Sequence, residues 1–458
     1  MNTKKKVDMT QGPIMRLVLL FALPICAGNV LQQLYNTVDT LVIGNFCSSI
    51  SLAAIGTSAQ PVEMVLCIFL GMGTGVSILV SQCAGSGNFE KLRKLVSTTT
   101  TFVYMCSIPL SILGLFLGPL ILKFMKVPED AWNYSVAYIQ IYFLGTLGNM
   151  GYNFNAGILR GMGDSKASLF FLLISCIVNI VLDLVFVAVF HWNVSGAALA
   201  TIIAMFASWV FSIIYIQKRY PELEYSPIPG KPDRNLLGEI VKVGLPLGLN
   251  NSIYSVGHIL MQSLINAQGS AFMAGCSVAS KLTGIANVAI TALASASCTF
   301  SGQNIGARNY VRLRQGHLLL PVFSGVITCI GGLIVTALCE PIIRLFTPDP
   351  EVIPLAVTYI RIVLPFTWLY AVFNGIINYV NGVGVVKYPT IVNILMLWAV
   401  RIPVAHLINR FIDGRYIMAC LPISFGFGMI CMLCYYRTGH WRSLMKLAKE
   451  QESKTATT

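Results

Sequence analysis

Two stretches decide the fold: QCAGSGNFEKLRK at residues 82–94 and QNIGARNYVRLRQ at residues 303–315. A shift of 221 residues lays Gln82, Gly85, Asn88, Leu92 and Arg93 on Gln303, Gly306, Asn309, Leu313 and Arg314. The register then runs outward. Tyr138 and Ile139 fall on Tyr359 and Ile360, Asn153 on Asn374, and Gly161, Gly163 and Lys166 on Gly382, Gly384 and Lys387. One further residue of shift brings Leu23-Pro24 onto Leu245-Pro246. A chain that contains its own second copy is built from two like units.

Composition says what the units are made of. Of 458 residues, 55% are hydrophobic and only 11% charged, against about 25% charged in a soluble domain. Apolar runs longer than the ~20 residues needed to cross a bilayer recur from Leu17 almost to the end. Twelve spans are expected, near 17–43, 50–82, 95–122, 131–157, 167–190 and 194–217, then 243–265, 271–300, 316–339, 353–380, 388–409 and 416–436. Six spans per copy is an even number, so both copies enter from the same side and are parallel repeats. The expected fold is therefore an all-α integral membrane protein of twelve transmembrane helices in two six-helix repeats. Its parts are an N-lobe at 1–219, a Pro-rich linker at 220–236, a C-lobe at 237–440 and a tail at 441–458. Two such lobes around a cleft suit alternating access to a site near the midplane. A globular cytosolic enzyme and a nucleic-acid binder are excluded.

The net charge of +13 reports topology, not a nucleic-acid partner. With the N-terminus cytoplasmic, 23 of the 31 Lys and Arg lie on the cytoplasmic side and five on the other; Lys281, Arg361 and Arg401 lie within spans. That asymmetry is the positive-inside pattern, and it predicts a multi-pass protein of the inner (plasma) membrane with both termini cytoplasmic. The start, with Lys4 to Lys6 before an apolar run to Cys26, has the outline of a lipoprotein signal. Pro24 and Ile25 stand where such a signal needs small residues, and the run continues to Ile43, so it is the first span. Cys431 and Cys434 have no second pair to complete a metal set and read as packing. No G-x-x-x-x-G-K-[ST] occurs, so ATP is not the direct energy source. Gly71 and Gly75, like Gly114 and Gly118, read as close helix contacts, not as phosphate cradles.

Six ionisable side chains lie inside spans: Asp39, Glu63, Asp183, Lys281, Arg361 and Arg401. Each opposes insertion by roughly 2.5–3.5 kcal/mol, so a functional or paired role is the starting hypothesis. Asp39 precedes Cys47, and Asp183 precedes His191, by the same two helical turns, while Thr201 follows His191 by about three. All three then sit ~12–15 Å below the outer surface. Asn179, four residues before Asp183, shares its helical face. Two carboxylates, an amide and a hydroxyl at one depth suit Na⁺, and two neighbouring buried carboxylates equally suit a shared proton. The competing reading pairs Asp39 and Asp183 with Lys or Arg of the other lobe or with backbone, and makes Thr201 an ordinary interhelical hydrogen bond. The second copy has Met261, Val400 and Val404 at the positions of Asp39, Asn179 and Asp183, so the cluster belongs to one lobe. Glu63, Lys281, Arg361 and Arg401 are expected in structural pairs across the lobes, ahead of the alternative that they contact substrate. His258 and His406 are expected in helix packing. Gln32, Gln33, Tyr35, Asn36, Tyr152, Asn153 and Asn155 in one lobe, and Asn250, Asn251, Tyr254, Gln262, Asn374 and Asn378 in the other, mark a roomy, weakly specific cavity for amphipathic molecules, though each serves as readily as helix glue.

Leu23-Pro24 through Val38-Asp39-Thr40, Leu159-Arg160-Gly161-x-Gly163-Asp164, and Asn179-x-x-x-Asp183 resemble the multidrug and toxic compound extrusion (MATE) transporters over nearly the whole chain. The Asn179/Asp183 pair with Asp39 is similar to the DinF-like branch. That resemblance implies Asp39 and Asp183 as coupling carboxylates, Asn179 and Thr201 as auxiliary ligands of H⁺ or Na⁺, and Pro24 as a first-helix hinge. The NorM-like branch has acidic residues in its seventh and tenth helices; here those spans offer His258, Gln262 and Asn374. The function implied is a cation-coupled antiporter that exports amphipathic, often cationic, organic compounds. It would act as a monomer without a cofactor, the ion being cargo. The alternatives are a lipid-linked oligosaccharide flippase and a narrow metabolite exporter. A membrane enzyme would need a polar cluster at one membrane face, and the five histidines are dispersed.

Overall fold

The computed structural model describes residues 7–125, 127–347 and 349–456, without the side chains of residues 49, 52, 53, 60, 63, 439, 440 and 452–456. In the first copy, α1 (Ile14–Phe46), α2 (Ser49–Ser86) and α3 (Phe89–Phe124) are followed by α4 (Glu129–Leu144) and α5 (Thr146–Gly161), which form one span broken at Gly145. Then α6 (Ser165–Asp183) runs into a π-helical stretch at Leu184–Val189, and α7 (Asn193–Arg219) completes the set. The second copy opens with α8 (Arg234–Asn266), α9 (Ser270–Gly306), α10 (Tyr310–Ala337) and the short α11 (Cys339–Phe346). Its fourth span joins α12 (Val352–Val363) to α13 (Thr367–Gly382), and its fifth joins α14 (Lys387–Leu395) through π-helical Met396–Arg401 to α15 (Ile402–Phe411). Last come α16 (Cys420–Tyr435) and α17 (Gly439–Ala456). Ten of the described helical segments are long and apolar enough to cross a membrane. The other two of the expected twelve are the broken α4–α5 and α8, whose 33 residues include the polar Asn250, Asn251, Gln262 and Asn266.

The duplicated motif is a joint between helices. Gly87 turns left-handed at φ 66°, and Asn88 caps α3 by accepting the Lys91 N–H at 2.9 Å. In the second copy Arg308 takes φ 53° and Asn309 caps α10 by accepting the Arg312 N–H at 3.2 Å. An asparagine at this position satisfies one of the orphan N–H groups of a helix start. Leu92 and Leu313, four residues on, are fully buried. A second joint repeats less closely. Gly163 and Gly384 both sit at positive φ, 90° and 98°, but only the first copy follows with a side-chain cap, Asp164 accepting from the Ala167 N–H at 3.1 Å. Asp164 Oδ2 also accepts the hydroxyls of Tyr215 and Tyr220 at 2.7 and 2.9 Å. Burial, and then the Asp164 charge, raises the Tyr220 hydroxyl above the ordinary phenol range, so it remains a donor.

The residues after α7 are held against the first copy by named bonds. Tyr225 donates to Asn155, Tyr104 donates to the Pro227 carbonyl at 2.9 Å, and the Asp233 N–H donates to Thr98. By contacts the chain forms two units: residue 7 with Ala27–Leu249, and Asp8–Cys26 with Asn250–Thr458. The divisions fall just after Pro24 in α1 and Pro246 in α8, the pair that the repeat superposes. Within the first unit, a Cβ on Gly71 would overlap the backbone of Gly248, and one on Gly75 would overlap Gly244. Here the helix backbones approach as closely as small residues allow, which is the role expected of these glycines. Gly114 lies likewise against Phe143. In the second unit the tail is ordered: Trp441 at the start of α17 is buried against Tyr379, Tyr435, Tyr436 and His317.

Candidate functional site

Within the first unit, α1, α6 and α7 bring together the polar residues that the sequence placed at one depth. Asn179 and Asp183 are 0% exposed and Asp39 is half-buried. The Asp39 and Asp183 carboxyl groups lie within hydrogen-bond reach of each other. Two carboxyl groups in contact within a low-dielectric interior repel when both are charged, so the arrangement can take up a proton or a cation. The Asn179 amide, turned with its nitrogen to the carboxylate, donates to Asp183 Oδ2 at 2.8 Å while its oxygen accepts from the Thr201 N–H at 3.3 Å. Thr201 donates its hydroxyl to Ala197 O on its own helix at 3.0 Å. The Tyr35 hydroxyl is also within hydrogen-bond reach of Thr201.

Oδ1 of Asp39 and Oδ1 of Asp183 are both buried without a hydrogen-bond donor. Among the described residues neither carboxylate has a Lys or Arg partner. One turn away, toward the Phe46 and Trp192 end, Val42, Ile43, Val187 and Ala197 form a buried apolar cluster, with Val38 packed against it. The acids are therefore walled off on that side by a dry layer, which strengthens their interaction. Immediately after Asp183 the helix widens to the π stretch, closed by Phe190 N–H donating to Val185 O at 2.9 Å. Such bulges collect at functional sites. No pattern in the sequence marked this one.

The donor set suits a monovalent ion. Among the described residues no group of three or more His, Cys, Asp or Glu is gathered to hold a metal. Two carboxyl groups beside the Thr201 hydroxyl oxygen are hard oxygen donors of the kind that take Na⁺, and the carboxyl pair equally suits H⁺.

The residues expected to line a cavity divide. In the first unit Gln32 donates to Asn36 at 3.4 Å along an open face of α1, and Tyr35 stands beside the acid cluster. Asn153 is half-buried and donates to both oxygens of Asn149 at 2.9 Å. Asn155 is not on a wall: it is 3% exposed, donates to Ser212 at 2.9 Å and accepts from Tyr225 at 3.0 Å. The reason is position. Asn155 lies two residues beyond Asn153, across α5, where it faces α7 and the segment that follows it. In the second unit Gln262 is exposed and donates to Asn266, Asn374 accepts from Asn378, and Asn250 accepts from Asn393. Tyr254 is half-buried and receives a hydrogen bond from Arg401 at 3.0 Å.

Within the second unit none of the interior charges has an ion-pair partner among the described residues. Arg401 is 2% exposed, yet it meets hydroxyls and rings of its own unit and no carboxylate among the described residues. Lys281 and Arg361 are exposed and make no ion pair among the described residues. Glu63 lies on α2, and its side chain falls outside the described residues. His258 packs edge-on against Tyr254 at 4.9 Å, and the His406 ring sits 3.0 Å from Ile402 O, in keeping with packing roles. Pro24 lies half-buried within α1, where it removes one ladder hydrogen bond.

Comparison with known proteins gives the same picture of two copies. A family model described as MatE matches residues 24–185 and again 246–407, two stretches of equal length that begin at Pro24 and Pro246. The probable multidrug resistance protein YpnP of Bacillus subtilis is 30% identical over 450 residues, covering 98% of this chain and all of that one. A protein of Shewanella oneidensis named as an FAD transporter is 24% identical over 94% of this chain and 96% of its own length. Among solved structures, an outward-facing multidrug resistance MATE family transporter of the MOP superfamily superposes with a TM-score of 0.86 at 22% identity, covering 98% of this chain and all of that one.

Proposed function

The chain belongs to the MatE family of multi-pass membrane transporters, and on that premise we propose that it is a multidrug exporter driven by inward flow of H⁺ or Na⁺. The observation that carries the coupling is the pair of touching carboxyl groups, Asp39 and Asp183, each with a buried oxygen that lacks a donor. Such a pair binds one cation tightly and cannot remain empty and fully charged at low energy. Asn179 orients Asp183, and Thr201 offers its hydroxyl and the backbone N–H that fixes the Asn179 amide. Once the apolar layer of Val42, Ile43, Val187 and Ala197 parts, an ion from the outer side neutralises the pair and relaxes α1 against α6 and α7. Its departure to the cytoplasm restores the charge. The change is transmitted along α1 to Pro24, where the missing hydrogen bond allows a bend. Cargo is held elsewhere, by polar side chains such as Asn153 of the first unit. The protein then sits in the inner membrane as a monomer with both termini cytoplasmic.

The test is efflux of a cationic dye from cells that lack their own pumps, with sodium present or replaced. Wild type should clear the dye and Asp39→Asn should not, while inserting at normal levels. Sodium replacement abolishing efflux would assign Na⁺; indifference to it, with sensitivity to a protonophore, would assign H⁺. Equal efflux by the mutant would remove Asp39 from the coupling site. A narrower metabolite exporter is favoured by one finding, the full-length relative named as an FAD transporter.

A further inference from the structure

The six interior charges segregate by copy. Asp39, Glu63 and Asp183 are acidic and lie in the first; Lys281, Arg361 and Arg401 are basic and lie in the second. Only one of the basic three is buried. Arg401 is 2% exposed and closes the π-helical stretch of its span. Its Nε donates to the Ser424 hydroxyl at 3.1 Å and its Nη1 to the Tyr254 hydroxyl at 3.0 Å, while Nη2 has no partner among the described residues. The rings of Tyr254 and Phe425 lie 5.6 and 5.3 Å from the guanidinium carbon. A guanidinium keeps its charge at any physiological pH, and its fork of donors matches carboxylate and phosphate. Neutral hydroxyls and ring faces solvate it, but they do not neutralise it. A buried cation with no carboxylate and an idle donor among the described residues marks a site for an anion.

From this we propose that Arg401, Tyr254 and Ser424 form a subsite in the second unit for the carboxylate or phosphate of an amphipathic organic anion carried as cargo. Ser424 already spends its proton on Leu421 O at 2.8 Å, so toward Arg401 it can only accept. That leaves the outer edge of the guanidinium, Nη2, as the free donor. Tyr254 is half-buried and His258, one turn along α8, is exposed with its ring against it, so the subsite is reached along that face of α8. The rings that flank the guanidinium give the apolar body of the anion a surface to lie on. The inference rests on the reading of the chain as an exporter and narrows its cargo: the second copy discriminates by the negative head of the molecule.

The experiment compares two dyes with the same xanthene body and opposite charge, fluorescein and rhodamine 6G. Each is titrated against the purified full-length protein by fluorescence anisotropy. Saturable fluorescein binding is expected, weakened at least tenfold in Arg401→Met and less in Arg401→Lys, with rhodamine 6G binding changed less than twofold. Tyr254→Phe removes only a hydroxyl, keeps the fold testable if Arg401→Met does not fold, and should weaken fluorescein alone by a few fold. Benzoate should displace fluorescein, and benzylamine should not. No saturable fluorescein binding by folded wild type, or equal loss of both dyes in the folded variants, would overturn the subsite. Displacement by stoichiometric phosphatidylglycerol would overturn the assignment to cargo and give the site to a lipid head group. Binding at equilibrium needs no ion gradient. Its failure with cation-driven efflux intact therefore counts against the subsite alone, and efflux unaffected by Asp39→Asn with binding intact counts against the coupling site alone.

Discussion

Asn153 and Asn155 stand two residues apart on α5 and meet different surroundings, half-buried beside Asn149 in one case and sealed between Ser212 and Tyr225 in the other. Removing a buried group with two partners leaves both unsatisfied, about 1–3 kcal/mol in each such case. Asn155→Ala should therefore lower the thermal midpoint clearly while transport per folded molecule stays near wild type, as melting and dye efflux measured side by side would show. Asp183→Asn should do the reverse. It keeps the volume and one oxygen but removes the shared charge, so driven efflux should fall at least tenfold with the melting temperature unchanged or raised. A normal efflux rate would move the coupling site away from the pair. The sequence put Asp39, Asn179, Asp183 and Thr201 at one level by counting residues along helices, and these four lie together in the first unit. It did not foresee the hydroxyls and rings that surround Arg401, since a count along the chain says nothing of what stands opposite.

Among the elements, α2 and the first half of α8 depend on four glycines. Gly71 and Gly75 face Gly248 and Gly244, and a side chain on Gly71 has only backbone to displace. Gly71→Val should thus abolish recovery of monodisperse protein after detergent extraction. Gly56, on the same helix, has open space where its Cβ would stand. Gly56→Ala should be harmless or slightly stabilising, by about 0.5–1 kcal/mol, through the better helix propensity of alanine. Equal behaviour of the two variants would show that α2 does not pack as described. The π stretches at 184–189 and 396–401 belong to this scale too. Each adjoins the buried charge of its own copy, Asp183 or Arg401, and each re-aims the residues around it by widening one turn.

For the whole molecule, the distribution of Lys and Arg predicts an orientation that can be measured directly. Alkaline phosphatase, active only outside the cytoplasm, should be active when fused after Asn193 and inactive when fused after Arg219. A fluorescent protein that folds only in the cytoplasm should fluoresce at the C-terminus. The opposite pattern would invert the topology and with it the direction in which the ion reaches Asp39.

By itself the sequence determined the class, the duplication and the spans, because each is written in local composition or in a fixed spacing: apolar length for spans and a 221-residue shift for the copies. Tertiary structure alone decided which polar side chains share surroundings. It joined Asp39 to Asp183 across α1 and α6, drew Asn155 away toward Tyr225, broke α4–α5 at Gly145, and left Arg401 among hydroxyls and rings. The physical reason is that burying a polar group is governed by the partner it meets, and that partner stands on another helix whose rotation and depth depend on packing throughout the unit.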